Sequence, residues 1–175
     1  MKNRFEIWVE SPSDISRIRA SGYALVLMDS CFIVEYSDLL EVLASGEHIR
    51  ATGRIPAVCD FTRHEVEGVR LKAGGRVWRA LRRAERLNLC MVRTGFIEHG
   101  EPTEKLLEYR EYIKAFKRLY ARLPGRSNKE DLALYVTTLH LRDSEVKAEA
   151  ATIDRALRRA LEKAEITVHT RLWIT

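Results

Sequence analysis

Four carboxylates stand out in the sequence because each follows a predicted strand or opens a predicted helix. Asp29 directly follows the apolar run "ALVLM", and Asp154 stands at the end of "VKAEAATI". Glu65 and Asp131 lie in the first turns of two predicted helices. Mg²⁺ and Mn²⁺ are hard cations that prefer oxygen ligands, and two such ions about 4 Å apart can activate water in phosphodiester cleavage. These residue types therefore indicate metal-assisted hydrolysis, provided that the fold brings the four side chains together.

Each acid also has an ordinary structural explanation. A carboxylate at a helix start accepts hydrogen bonds from free backbone N–H groups and complements the helix dipole. Asp29 lies between two apolar stretches, where an unpaired charge is costly to bury, so it either caps a helix or faces a cation. The conjunction of four such positions, rather than any one of them, favours a site.

The elements that must position these acids follow from the hydrophobic pattern. Short apolar or alternating segments predict strands at residues 4–10, 24–28, 54–58, 88–94, 146–153 and 165–170. Helical spacing of apolar residues predicts helices at 11–22, 30–46, 61–74, 76–87, 102–123, 129–141 and 155–164. Strands that alternate with crossover helices predict an α/β fold, a three-layer α/β/α sandwich with a central, mostly parallel sheet. Ligands bind such sheets outside the carboxyl ends of the strands, where Asp29 and Asp154 fall.

Length and composition predict one ordinary globular domain. The chain has 175 residues, of which 46% are hydrophobic and 31% charged. Residues 1–22 are interpreted as an N-terminal extension with a short strand and helix, and residues 23–175 as the main domain. The pattern shows neither a membrane-spanning segment nor the apolar core of a signal peptide, so a cytoplasmic protein without membrane contact is expected.

Charge and cysteine content add little about function. Three scattered cysteines predict small buried side chains rather than a disulfide framework or a zinc site. A net charge of +5 is mildly favourable for an anionic partner. The absence of Gln beside many Arg and Glu residues is typical of proteins from hot environments.

Four stretches resemble the acidic blocks of PIN-domain nucleases, and they occur in the same order. They are "VLMDSCFIVEY", "IPAVCDFTRHEVEG", "SNKEDLALYVTT" and "AEAATIDRALRRALEKAEITVHT". The resemblance covers about residues 24–170 and implies a PIN-like fold. It also implies that Asp29, Glu65, Asp131 and Asp154 are the catalytic acids and hold Mg²⁺ or Mn²⁺ for the hydrolysis of RNA by water, leaving a 5′ phosphate.

The resemblance also points to secondary candidates near these acids. Ser30 occupies the place of a small hydroxyl residue often found after the first Asp, and Thr152 lies just before the last one. Glu67 competes with Glu65, and Glu130 competes with Asp131. Because neighbouring helix residues point about 100° apart, we expect only one acid of each pair to face the site.

A basic helix supplies the predicted contacts with RNA. Arg79, Arg82, Arg83 and Arg86 follow helical spacing opposite an apolar face, so their guanidinium groups could track a phosphate backbone. The alternative is a solvated helix face. Residues 109–123 offer a second basic segment, with Lys114, Lys117 and Arg118 as candidates.

Two other functions fit the same sequence. The fold could serve a catalytically inactive module that binds RNA or protein, with the acids as caps. The chain could also be a toxin nuclease with a small antitoxin-like partner protein. A homodimer is expected by analogy with the family.

Overall fold

The computed structural model describes residues 5–69, 75–120 and 129–174, and it has the predicted α/β architecture. A six-stranded, all-parallel sheet in the order β1-β4-β3-β2-β7-β8 forms the middle layer. Its strands are β1 (Phe5–Trp8), β2 (Ala24–Met28), β3 (Arg54–Cys59), β4 (Cys90–Arg93), β7 (Ala148–Ala151) and β8 (Val168–His169). A separate two-stranded hairpin consists of β5 (Ile97–Glu98) and β6 (Glu101–Pro102).

Helices cover both faces of this sheet. They are α1 (Pro12–Ser21), α2 (Ser30–Glu35), α3 (Leu40–Leu43), α4 (Gly46–Thr52), α5 (Asp60–Val69), α6 (Arg76–Glu85), α7 (Glu104–Leu107), α8 (Arg110–Tyr120), α9 (Lys129–Asp143) and α10 (Arg155–Lys163). Among the described helices, none is long and apolar enough to cross a membrane.

The helices form two outer layers, and one hydrophobic core lies between each layer and the sheet. Leu25 and Leu27 of β2 face the first core, to which α1, α8, α9 and α10 contribute. Val26 and Met28 face the second core, which is formed with α2, α3, α5 and α6. The continuous apolar run of β2 is thus explained, because a parallel strand in the middle layer is buried on both sides. The predicted three-layer α/β/α sandwich is confirmed.

The register of the central strands sets the position of the predicted acids. Met28 of β2 is opposite Ala151 of β7, and the backbone N–H of Asp29 donates to the Ala151 carbonyl at 3.0 Å. Asp29 and Thr152 are therefore neighbours at the carboxyl edge of two adjacent strands. That edge is where parallel α/β sheets bind ligands.

The predicted strand and helix of residues 1–22 are both found. Strand β1 pairs with β4 and forms one edge of the main sheet. Helix α1 begins after Ser11, whose hydroxyl accepts from the Asp14 N–H at 3.3 Å, and it ends at Gly22 with φ of 72°. The division of the chain at residue 22 into an extension and a main domain stays a prediction.

Two predicted helices are interrupted in the structure. The helix expected over residues 30–46 is divided into α2, a 3₁₀ turn (Ser37–Leu39) and α3, and Ser45 then caps the unpredicted α4. The helix expected over residues 102–123 begins with the short α7 and resumes as α8. Its last predicted residues, 121–123, lie outside the described residues, as does the loop predicted at 124–128.

The segment after β8 packs against the start of α2. The Trp173 ring stacks on the Phe32 ring with centroids 5.9 Å apart, and it contacts the His169 ring at 5.3 Å. Trp173 is 7% exposed. The last described residues therefore complete the second core beside the turn that carries Asp29.

Candidate acidic site

Asp29 is buried at the carboxyl end of β2 and caps α2. Its Oδ1 accepts from the Phe32 N–H at 2.9 Å, as an N-cap carboxylate does. Its Oδ2 accepts from the hydroxyl of Thr152, and the Cys31 thiol donates to both carboxylate oxygens at 3.0 and 3.1 Å. Capping occupies only part of the carboxylate. This geometry is therefore compatible with Asp29 as a helix cap and with Asp29 as a residue that faces a cation.

Burial raises the pKa of Asp29 above its ordinary value, and the charge of Asp154 raises it further. The hydrogen bonds from Cys31, Thr152 and Phe32 oppose this shift because they favour the charged form. Burial and the neighbouring Asp29 charge raise the pKa of the Cys31 thiol to about 12, so the thiol is a hydrogen-bond donor here.

Thr152 links the carboxylate of Asp29, which follows β2, to the backbone of Asp154, which stands three residues after the end of β7. Its side chain is fully buried, and its hydroxyl donates to Asp29 while accepting from the backbone N–H of Asp154 at 3.0 Å. Asp154 in turn caps α10, with Oδ1 accepting from the Leu157 N–H at 2.9 Å. Thr152, a secondary candidate from the sequence, thus fixes the relative positions of Asp29 and Asp154.

Glu65 of α5 faces the same group of acids. Burial raises the pKa of its carboxyl to about 8, and the charges of Glu130, Asp131 and Asp29 contribute. The Ser30 hydroxyl donates to Glu65 Oε2 at 3.4 Å. Glu67, the competing candidate on α5, is not among the charges that shift the pKa of Asp29, Glu65 or Asp131.

Asp131 lies in the first turn of α9 and approaches the strand ends. Burial raises its pKa to about 6, and the charges of Asp154, Asp29 and Glu130 add to the shift. The hydroxyl of Tyr120, the last residue of α8, donates to Asp131 Oδ2. Glu130 also acts on Glu65, so both acids of this neighbouring pair lie near the site, where the sequence argument expected one.

Five carboxylates therefore form one electrostatically coupled group, which we call the acidic cluster. Its members are Asp29, Glu65, Glu130, Asp131 and Asp154. No basic side chain is among the main causes that shift the pKa values of Asp29, Glu65 and Asp131. Glu149 is the contrast, because Arg54 and His169 bind its carboxylate and lower its pKa despite burial.

The donor chemistry of the acidic cluster fits a hard divalent cation, because every candidate ligand is a carboxylate oxygen. The positions of the side chains fit a cation less well than their chemistry does. Within residues 5–69, 75–120 and 129–174, no group of three or more His, Cys, Asp or Glu side chains is arranged to hold a metal ion. Hydrogen bonds draw the carboxylates of Asp29, Asp131 and Asp154 toward Thr152, Tyr120 and the start of α10, respectively.

Asp60 follows β3 as Asp29 follows β2, but its carboxylate has a different role. Oδ1 accepts from the Phe61 N–H at 3.0 Å and the Thr94 hydroxyl at 2.8 Å. Oδ2 accepts from the backbone N–H groups of Thr94 and Gly95 at 3.0 and 2.9 Å. Four donors therefore hold this carboxylate, which fastens the loop after β4 to the start of α5.

The arginines predicted to bind RNA lie on α6 or directly after it, among acidic neighbours. Arg83 pairs with Glu41 of α3. The guanidinium carbon of Arg82 lies 5.9 Å from the centroid of the Trp78 ring, and its Nη1 lies 3.9 Å from Glu85 Oε2. Arg79 and Arg86 are exposed. Arg76, at the start of α6, pairs with Asp38. Arg82 and Arg83 of this predicted surface thus have carboxylates within 4 Å.

Sequence reasoning missed the roles of Cys31 and Tyr120. The sequence predicts Cys31 only as a small buried residue, although its position two residues after Asp29 is a signal for a contact with that carboxylate. Tyr120 bonds a residue eleven positions later. No local sequence signal indicates that pairing, because it depends on how α8 and α9 pack.

Comparisons with known proteins give no identification. No protein-family model matches this chain, and neither a curated protein nor a solved structure matches it.

Proposed function

We propose that this protein is a metal-dependent ribonuclease of the PIN type, which hydrolyses RNA phosphodiester bonds at the acidic cluster. The observation that carries the proposal is the group of coupled carboxylates at the carboxyl edge of β2 and β7. The raised pKa values of Asp29, Glu65 and Asp131 support it, because uncompensated negative charge in one place favours a cation.

Asp29, Glu65, Asp131 and Asp154 would hold Mg²⁺ or Mn²⁺, with Glu130 as an additional acid nearby. A bound divalent ion supplies polarisation of the scissile phosphate and lowers the pKa of a coordinated water. The chain's own residues orient the ligands. Other side chains bind these acids and limit their rotation, as the outer partners of metal ligands do: Thr152 and Cys31 on Asp29, Ser30 on Glu65 and Tyr120 on Asp131.

The choice of RNA as substrate depends on the resemblance to PIN-domain nucleases and on the net positive charge of the chain. A cytoplasmic location, expected from the sequence pattern, and a homodimer, expected by analogy with the family, form part of this proposal. An antitoxin-like partner belongs to the alternative in which the chain is a toxin nuclease.

The second candidate is a catalytically inactive module that binds RNA or protein. One observation favours it, namely that the carboxylates of the described residues are not arranged to hold a metal ion. In that case the caps formed by Asp29 and Asp154 would be the main use of these acids.

The deciding experiment is a cleavage assay on short RNA and DNA strands with Mn²⁺, with Mg²⁺ and with EDTA. We expect cleavage of RNA with either metal and no cleavage with EDTA. Asp29→Asn should abolish the activity, because Asn keeps a capping oxygen but removes the charge that a cation requires. Glu98→Gln, an exposed acid of the β5–β6 hairpin, serves as the matched control and should cleave normally. Unchanged cleavage by Asp29→Asn would refute the assignment.

A further inference from the structure

Helices α8 and α10 carry a concentration of positive charge that the acidic neighbours do not offset. Together they contain eight basic and two acidic residues, an excess of six, whereas the whole chain has a net charge of +5. The rest of the molecule is therefore close to neutral. Such local accumulation produces an attractive potential for a polyanion.

These basic residues share the solvent-facing sides of two adjacent helices. Leu157, Ala160 and Leu161 of α10 are buried, whereas Arg155, Arg158, Arg159 and Lys163 are exposed. On α8, Phe116 and Tyr120 are buried, and the exposed residues include Arg110, Lys114, Lys117 and Arg118. The two helices pack against each other on the same core. Their exposed basic residues therefore lie on neighbouring helices of the same outer layer.

Most of these cations are not engaged by carboxylates. Arg158 pairs with Glu162 and Lys114 pairs with Glu111. In the part of the chain that the structure describes, Lys117, Arg118, Arg155 and Arg159 form no ion pair. All 25 acidic residues of the sequence lie in that part. The arginines of α6, by contrast, are interspersed with Asp38, Glu41 and Glu85.

The helix ends that carry these four unpaired cations adjoin the acidic cluster, although none of the four is among the charges that shift the pKa values of Asp29, Glu65 and Asp131. Tyr120 ends α8 and donates to Asp131, while Asp154 caps α10 and is coupled to Asp131. Lys117 and Arg118 lie within the last turn of α8, and Arg155 and Arg159 lie within the first two turns of α10. The ends of α8 and α10 that carry these basic residues thus adjoin the acidic cluster.

We propose that Lys117, Arg118, Arg155 and Arg159 form the surface that binds the phosphate backbone of the nucleic-acid strand presented to the acidic cluster. This inference rests on the proposed function and specifies its substrate-binding surface, which replaces the α6 surface predicted from the sequence. Acids that bind cations repel phosphates in their absence, so a neighbouring cationic surface is needed to retain the strand. Arginine and lysine contacts of this kind position a strand without selecting its sequence.

The test compares two quadruple variants that remove equal positive charge. One is Lys117→Gln, Arg118→Gln, Arg155→Gln and Arg159→Gln; the matched control is Arg79→Gln, Arg82→Gln, Arg83→Gln and Arg86→Gln. Binding of a fluorescent single-stranded RNA is measured by anisotropy in EDTA over a range of salt concentrations, and DNA of the same sequence and poly-glutamate are tested in parallel. Circular dichroism melting shows whether each variant is folded.

We expect the first variant to bind RNA about tenfold or more weakly and to lower the salt slope by about three, because each phosphate contact contributes roughly 0.7 to that slope. The α6 variant should change affinity less than about twofold. Tighter binding of RNA than of DNA identifies ribose as part of the contact, and equal binding identifies the phosphate backbone alone; both outcomes support the surface.

Three results would overturn the inference. They are an unchanged affinity of the folded first variant, an equal loss in both variants, and competition by poly-glutamate as effective as that by RNA, which would indicate an acidic protein as partner. The readout does not require cleavage. RNA binding that depends on α8 and α10 without any metal-dependent cleavage would defeat the nuclease proposal and leave this surface standing, and the reverse pattern would do the opposite.

Discussion

Asp29 and Asp60 each follow one of two adjacent parallel strands and stand at the start of a helix, yet their surroundings differ. Asp60 receives hydrogen bonds from four donors and fastens the loop at Thr94 and Gly95. Asp29 also accepts hydrogen bonds, but it is buried beside other acids and no basic side chain offsets its charge. A carboxylate whose oxygens are all satisfied stabilises the fold, whereas one that adds to uncompensated charge lowers stability and needs a functional explanation.

The largest expected effect is on the stability of the fold, which Asp60→Asn should lower and Asp29→Asn should not. Asp60→Asn replaces one acceptor oxygen with an NH₂ group that faces two backbone N–H donors. We expect a loss of about 3 kcal/mol, since hydrogen bonds to a charged acceptor contribute about 1.5–3 kcal/mol each. For a domain of this size the melting temperature should fall by roughly 10 °C.

Asp29→Asn should leave the melting temperature in EDTA unchanged or raise it. Asn retains the capping oxygen for the Phe32 N–H and removes a charge that burial and Asp154 disfavour. The Thr152 hydroxyl that donates to Oδ2 can rotate and accept from the new NH₂ group, unlike the fixed backbone N–H donors at Asp60. Differential scanning calorimetry of both variants in EDTA measures the contrast. A destabilisation by Asp29→Asn as large as that by Asp60→Asn would assign both carboxylates to structure alone.

A smaller effect is expected in the pH dependence of stability without metal. The pKa of Glu65 is about 8 and that of Asp131 about 6 in the folded protein, both above their ordinary values. The folded state therefore holds protons that the unfolded state has released, and the free energy of unfolding falls as pH rises from about 4 toward 8. Glu65→Gln should remove much of this decline.

Urea denaturation in EDTA at pH values between 5 and 8 checks this prediction, with Glu67→Gln on the same helix as the matched substitution. Added Mn²⁺ should restore stability to the wild-type protein at the upper end of this interval, because a ligand that binds only the folded state stabilises it. If Glu67→Gln flattened the profile as much as Glu65→Gln, the coupling of Glu65 to the acidic cluster would be wrong.

The smallest expected effect concerns the residue that binds Asp131. Tyr120→Phe removes the hydroxyl that donates to Asp131 Oδ2, so the carboxylate should be less well oriented for a cation. We expect the affinity for Mn²⁺, measured by electron paramagnetic resonance titration, to fall about tenfold. Tyr112→Phe is the control, because the Tyr112 hydroxyl donates to Asp143, which is outside the acidic cluster. An equal change in both variants would contradict the role given to Tyr120.

Much of the framework was accessible from the sequence. The apolar run 24–28 predicted β2 with the same bounds as the structure, and the parallel sheet follows from strands alternating with crossover helices. Since carboxyl ends of adjacent parallel strands share an edge, the proximity of Asp29 and Asp154 could be predicted as well. The nuclease activity, its metal and its RNA substrate stay predictions.

Other features depend on tertiary contacts that no local pattern contains. The divided helix between Ser30 and Gly46 bends over the second core, and Ser45 provides a new cap for α4. The thiol of Cys31 and the hydroxyl of Tyr120 meet carboxylates because separate elements pack together. The charge balance of α6 was likewise hidden, because its acidic neighbours Asp38 and Glu41 lie about forty positions earlier.

The stacking of Trp173 on Phe32 has a practical implication for anyone who labels or fuses this protein. The Phe32 N–H donates to Asp29, and the Trp173 indole ring stacks on the Phe32 ring, so both contacts stabilise the same turn. A bulky group attached just beyond Trp173 would disturb this stacking. The opposite edge of the sheet, at β1, is three strands away from β2, and an affinity tag belongs on that side.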